Sequence, residues 1–159
     1  MATAVAYTSD IIDAPNGEVI HRDIQAERIK RFAAERAVKV VAWFEDDSSE
    51  PDLMRRPGVR ALFSCGQRYD LVLCERVWAL SRSMAALEPF FKELDRRGAA
   101  FETATAMWDA VSQQCRRRSK SLAVKPAIPE PSRYRVAKPD RFNFVHLVHH
   151  TGPSISRRL

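Results

Sequence analysis

Two rhythms of apolar positions alternate along the chain: short continuous runs, and stripes that recur every three or four residues. Thr3-Ala-Val-Ala-Tyr7 is a run of the first kind and predicts a short buried strand. Ser9 to Val19 contains Pro15, Asn16 and Gly17 and reads as a loop with a turn. Between Arg22 and Arg36, Ala26, Ile29, Phe32 and Ala33 fall on one helical face, while Arg28, Lys30, Arg31 and Glu35 lie mostly outside it. Val38 to Phe44 is β-branched and aromatic, hence a second strand. Glu45 to Arg55 is acidic, interrupted by Pro51 and aperiodic, so a loop is expected. Pro57 suits the first turn of a helix that turns Val59, Leu62 and Phe63 inward and stops at Gly66. Asp70 to Cys74 predicts a third strand. Met84, Leu87, Phe90, Phe91 and Leu94 form a clear helical stripe ending at Gly98, with Pro89 either kinking the helix or standing just after its start. Ala99 to Glu102 is a candidate fourth strand. A last helix, from about Thr105 to Arg118, carries Trp108, Val111 and Cys115 on one face.

Strands that alternate with helices predict an α/β fold with a parallel-rich sheet and helices on both faces. Right-handed crossovers then gather the strand C-termini on one edge, where the loops Thr8–Val19, Glu45–Arg55 and Glu75–Ser81 converge. Beyond Arg118 the pattern stops. Pro126, Pro129, Pro131, Pro139 and Pro153 punctuate the remainder, only Phe142 to Val148 has strand character, and no helix-turn-helix is visible. The expected organisation is an α/β domain over residues 1–118 followed by an extended basic arm over 119–159.

Composition narrows the function classes. At 159 residues, 45% hydrophobic and 29% charged, the chain suits one soluble domain and a tail. No apolar run approaches the ~18 residues of a membrane span, and Met1-Ala2-Thr3 opens no signal peptide. A cytoplasmic location without membrane contact is therefore expected. Cys65, Cys74 and Cys115 form no CxxC pair, which argues against a zinc site or a disulfide framework, and Cys74 reads as a small buried hydrophobe. The net charge of +6 is uneven: residues 116–159 hold eleven Lys and Arg against two acids, and the rest of the chain is slightly acidic. Such a basic segment suits a polyanion, because Lys and Arg displace counterions from phosphates.

Specific residues extend this picture. Tyr7 ends the first strand, Gln25 lies in the first helix, and Phe44-Glu-Asp46 closes the second strand. Arg56-Pro57-Gly58-Val59 opens a helix, Asp70 to Ser83 runs through the third strand and its loop, and Ala99-Ala-Phe-Glu102 precedes a threonine-rich segment. Taken in order, these segments resemble the catalytic domain of serine recombinases (resolvases and invertases), over roughly residues 3 to 115. The resemblance implies a serine hydroxyl that attacks a DNA phosphodiester, a phosphoserine link, and several arginines on the phosphate, whose oxygens gather charge in the transition state.

This sequence departs from the family where the chemistry resides. Against the family's Tyr-x-Arg-x-Ser motif, the serine position falls on Ile11 and the arginine position on Ser9. In the later Asp-Arg-Leu-x-Arg-Ser stretch, the Asp-Arg pair becomes Trp78-Ala79, while Leu80, Arg82 and Ser83 remain. Tyr7, Ser9, Asp46, Arg56 and Arg82 are thus remnants, and no catalytic residue is expected. Losing one charge-stabilising donor costs ~100- to 1000-fold in rate, so the loss of two arginines and the nucleophile predicts no strand exchange by this route.

The function expected is binding without catalysis, in a regulatory or accessory role. Its partners would be DNA, a second copy of the chain, a recombinase-type subunit, or another bacterial or phage protein. Candidate phosphate contacts are Arg116, Arg117, Arg118 and Lys120, then Lys125, Arg133, Arg135, Lys138 and Arg141, three of them beside Tyr134 or Phe142 for stacking. Arg116 to Arg118 also suit a helix C-terminus through the macrodipole. Two alternatives stay open: an active, divergent recombinase using Ser9 with Arg56 and Arg82, and a pure protein-interaction module. No cofactor is expected, and no metal. Glu45, Asp46, Asp47 and Glu50 read as a solvated acidic loop, and His146, His149 and His150 as surface histidines rather than chelators. Trp78 reads as an apolar plug of the former cleft, with a partner-binding patch as the alternative.

Overall fold

The computed structural model describes residues 1–13, 17–47 and 49–119. Strands β1 (Thr3–Ser9), β2 (Ile11–Asp13) and β3 (Glu18–Ile20) are followed by helix α1 (Arg22–Glu35), β4 (Lys39–Asp46) and α2 (Pro57–Ser64). Then come β5 (Leu71–Cys74), α3 (Met84–Arg97), β6 (Ala100–Thr103) and α4 (Ala110–Arg118). The main sheet has the order β4-β1-β5-β6, every neighbouring pair parallel.

Alternation along the central strands divides the core. Ala4 and Ala6 of β1, with Leu71 and Leu73 of β5, face Ile29 and Ala33 of α1. Val5, Tyr7, Val72 and Cys74 face the opposite way, toward Val59 and Leu62 of α2, Leu87, Phe90, Phe91 and Leu94 of α3, and Cys115 of α4. Each large side chain buried in this way contributes about 1.5–3 kcal/mol. Helices therefore cover both faces, as the strand–helix alternation predicts. The sheet also has a protected edge. Between β1 and β4 the register slips, with Ala4 opposite Val40 and Val5 opposite Ala42, so Val41 is an extra residue that twists the edge strand.

The chain leaves β1 outward to β4 and returns past it to β5. Strand order thus reverses between β1 and β5, and the crevice at their C-terminal ends is where ligand sites form in open α/β sheets.

Three expectations change in detail. The predicted loop from Ser9 to Val19 contains a hairpin: β2 pairs antiparallel with β3, and Gly17 takes a left-handed conformation at φ +67°. Its strands have three residues each, too short for their period to stand out beside a Pro-Asn-Gly turn. Helix α3 runs through Pro89 from Met84, so the proline forfeits one backbone bond near the helix start, and the helix ends at Gly98 (φ +69°) as expected. The last helix begins at Ala110, not near Thr105, because the Asp109 side chain accepts from the Ser112 amide at 3.0 Å and caps it there. Trp108 consequently lies outside α4 and is 78% exposed, and does not share a helical face with Val111 and Cys115 as expected. Among the described residues no helix is long and apolar enough to cross a membrane. Cys74 is buried, as expected, and the three cysteines are free thiols.

Candidate functional site

At the C-terminal end of β1 the structure brings three of the remnant residues into one buried network. The Tyr7 phenol donates to Asp46 Oδ2 at 2.9 Å, and the Gly58 amide, in the first turn of α2, donates to Asp46 Oδ1 at 2.8 Å. A carboxylate at a helix N-terminus is favourably placed. Gly58 must be glycine here, since a Cβ would run into Glu45 O and the Asp46 carboxylate. Arg56 Nη1 donates to Ala79 O at 3.2 Å and to the Tyr7 hydroxyl at 3.5 Å, while its Nε donates to Glu50 O at 2.9 Å. Arg56 is only 8% exposed. Burial pushes the Tyr7 phenol well above its ordinary pKa, the nearby Arg56 working against that shift and Asp46 with it. Within this network the guanidinium bonds inward through Nε and Nη1.

Ser9 and Ile11 are equally withdrawn. Ser9 is fully buried, and its hydroxyl finds no hydrogen-bond partner among the described residues. Gln25 grips its backbone, donating to Ser9 O at 2.6 Å and to Ile20 O at 2.8 Å, and so fastens the end of β1 to the hairpin. Ile11 is 2% exposed and belongs to the larger core. Ile11→Ser, which supplies the serine of the resembled motif, is therefore expected to destabilise the domain by about 2–4 kcal/mol in urea denaturation. It is also expected to give no covalent adduct with DNA, because the hydroxyl would point into the core.

After β5 the chain enters a second buried polar cluster. The Glu75 side chain is fully buried and meets Arg76 (Nε–Oε2 2.5 Å), Arg28 (Nη1–Oε1 2.8 Å) and the Thr105 hydroxyl (2.6 Å). Burial alone would raise its carboxyl pKa, but the hydrogen bonds from Arg76, Thr105 and Arg28 outweigh it and hold the group below the ordinary value. Sequence reasoning did not single out this cluster. Its signal was faint: an acid directly after the apolar run Leu71–Cys74. Trp78 packs against the core, consistent with a plug, and the Arg82 guanidinium lies 3.9 Å from its ring centroid. Arg82 Nη2 also donates to Ile12 O at 2.6 Å. Arg82 thus ties the hairpin to the loop after β5 and stands apart from the Tyr7–Asp46–Arg56 network.

Two openings flank this edge of the sheet. One, of about 740 Å³, lies between the ends of β1 and β4 and the start of α1, where Arg22 pairs with Asp10 and Glu45 at 3.4 Å each. The other, of about 370 Å³, is bounded by Asp47, Ser49, Glu50 and Arg56. The acidic loop is not uniformly solvated as expected: Asp46 is 8% exposed and fully bonded, whereas Asp47 is exposed and held below its ordinary pKa by the Ser49 hydroxyl and amide.

Of the basic residues expected to contact phosphate, Arg116 and Arg117 are exposed on the last turn of α4. Arg118 is engaged with α3, reaching Glu88 at 3.1 Å and Asp95 at 2.8 Å. Lys120, Lys125, Arg133, Arg135, Lys138 and Arg141 lie outside the described residues, as do Ser48, His146, His149 and His150.

Comparison with known families gives one match, in which the sequence model described as "Resolvase, N terminal domain" covers residues 18–120. The chain belongs to this resolvase family. The matched segment begins after β1, so Tyr7, Ser9 and Ile11 precede it. Among solved structures, the N-terminal catalytic domain of TP901-1 integrase is similar at 20% identity and TM-score 0.54, over 64% of this chain and 77% of that one. The C-terminal catalytic domain of ISC1926 TnpA, an IS607-like serine recombinase, is similar at 22% identity and TM-score 0.53, over 70% and 74% of the two chains. A resolvase family site-specific recombinase from Streptococcus pneumoniae is similar at 14% identity and TM-score 0.52, over 74% and 83%. These likenesses establish the shared resolvase fold. No curated protein matches.

Proposed function

We propose that this resolvase-family domain does not cleave DNA and acts by binding, with its basic C-terminal segment on nucleic acid and the α/β domain as scaffold. The observation that carries the reading is the state of Arg56 and Arg82, the two arginines retained from the resembled active site. Both donate to main-chain carbonyls, Arg56 to Ala79 and Glu50 and Arg82 to Ile12, so both guanidinium groups are engaged within the fold, Arg56 buried and Arg82 exposed but laid over Trp78. Ile11, which falls on the serine of the resembled motif, is buried, and Ser9 is sealed behind Gln25. A phosphoryl-transfer site needs donors aimed at the reacting oxygens and a hydroxyl that can approach phosphorus. Here Arg56 turns inward, Arg82 is held between the hairpin and Trp78, and the Ser9 hydroxyl is enclosed.

In this reading residues 1–118 form the domain and 119–159 the phosphate-contacting arm of a cytoplasmic accessory protein, alone or paired with a second copy or a recombinase-type subunit. The test is a duplex-DNA titration at low and moderate salt, comparing the full chain with a version ending at Ser119. Binding by the full chain alone, weakening with salt, is expected. A DNA–protein adduct that survives denaturation and disappears on Ser9→Ala would overturn the reading in favour of a divergent recombinase. Absence of duplex binding by either version would assign the domain to protein partners.

A further inference from the structure

Among the described residues, Trp108 is the most exposed tryptophan. It is 78% exposed, against 41% for Trp43, and no helix or strand contains it. Its backbone is nevertheless anchored. Asp109 behind it caps α4, and Gln113 Nε2 donates to Trp108 O at 2.5 Å. Two turns along α4, the Arg116 guanidinium lies 5.1 Å from the indole centroid. Arg116 also walls a cavity of about 230 Å³ whose floor includes Val77, Phe101 and Cys115 and whose rim includes Arg36 and Glu102. Arg117, beside it, is exposed.

A large ring held rigidly in water is stabilised by a partner that covers it, and the surrounding charge selects that partner. An apolar protein surface laid on the ring would strip water from Arg116 and return no countercharge. A nucleobase satisfies both demands, since its flat face stacks on indole while its flanking phosphates meet guanidinium groups. Duplex DNA keeps its bases stacked inside, so only an unpaired base offers a free face.

We propose that Trp108 and Arg116 form a stacking platform for an unpaired nucleobase, with Arg36 and Arg117 on the neighbouring phosphates. The proposal rests on the nucleic-acid reading above and specifies which form of nucleic acid the domain itself prefers. It is tested on the full chain with an oligothymidine strand and a duplex of equal length, each titrated at one moderate salt against wild type, Trp108→Ala and Trp108→Phe. Trp108→Ala is expected to weaken single-strand binding roughly 5- to 100-fold, the range of one stacked base, with little change for the duplex. Trp108→Phe keeps most of the affinity. An exposed position makes loss of folding an unsuitable explanation, and far-UV circular dichroism checks it.

Equal single-strand affinity in wild type and Trp108→Ala, with arm-dependent duplex binding intact, overturns the platform and leaves the reading of the basic segment standing. Trp108-dependent single-strand binding without duplex binding supports the platform and removes that reading. Failure of both nucleic acids to bind the wild-type chain removes both. A dimer that dissociates on Trp108→Ala, with nucleic-acid affinity unchanged, gives the ring to a second copy and overturns the proposal.

Discussion

Glu75→Gln is expected to destabilise the domain by about 3–5 kcal/mol at neutral pH, the range for breaking a buried ion pair by removing one partner. The Glu75 side chain has no exposure, and that of Arg76 only 10%. Once the carboxylate is gone, Arg76 keeps its charge in a place where water cannot solvate it fully, and Arg28 and Thr105 lose a shared acceptor. A melting temperature lower by on the order of 10 °C follows for a domain of this size. The pH dependence separates this cause from a packing defect. Glu75 is held below its ordinary value of 4.5, so its contribution is complete above that pH and is lost as pH falls through the folded value. The gap between wild type and variant should therefore be widest at neutral pH and narrow in acid. Glu93, held at about 2 chiefly by Arg96 and also by Arg97, titrates in both proteins and cancels in the difference. A gap that stays constant down to strong acid would mean that the glutamine side chain disrupts packing, and that the charge cluster contributes little.

The legibility of this protein followed the length of its signals. Helix α1 and strand β4 were readable because each repeats its pattern over several turns or residues, and the parallel sheet followed from their alternation. The hairpin was not readable: its two triplets, Ile11–Asp13 and Glu18–Ile20, are shorter than any window that reveals a period. Trp108 was misplaced for a different reason. Its spacing to Val111 and Cys115 fits a helix, but spacing cannot show that Asp109 will act as a cap and start the helix one residue later. At the candidate site, the residues came from the resemblance, whereas their orientation did not. Nothing in the string Arg56-Pro57-Gly58 announces that the guanidinium turns toward Ala79 O and Glu50 O. Both acceptors are main-chain carbonyls, which every residue type carries, so no side chain in the sequence encodes that turn.

If the proposed DNA binding holds, the same distinction between having a charge and presenting it governs its salt dependence. Residues 116–159 hold eleven Lys and Arg, and Arg118 among them is engaged by Glu88 and Asp95. If about half of the others reach phosphates, affinity should fall roughly 100- to 1000-fold between 50 and 200 mM salt, since each contact releases close to one counterion. Neighbouring arginines should then behave differently. Arg117 is exposed on the last turn of α4, and Arg117→Ala is expected to reduce the logarithmic salt slope by about 0.9 with little change in stability. Arg118→Ala should leave the slope almost unchanged and instead loosen the α3–α4 contact, lowering the denaturation midpoint, because its guanidinium also lies over Phe91. Parallel titrations of the two variants over the same salt series decide the matter. Equal slope changes would mean that Arg118 leaves its carboxylates to bind DNA, and that charge count alone, independent of the fold, sets the interaction.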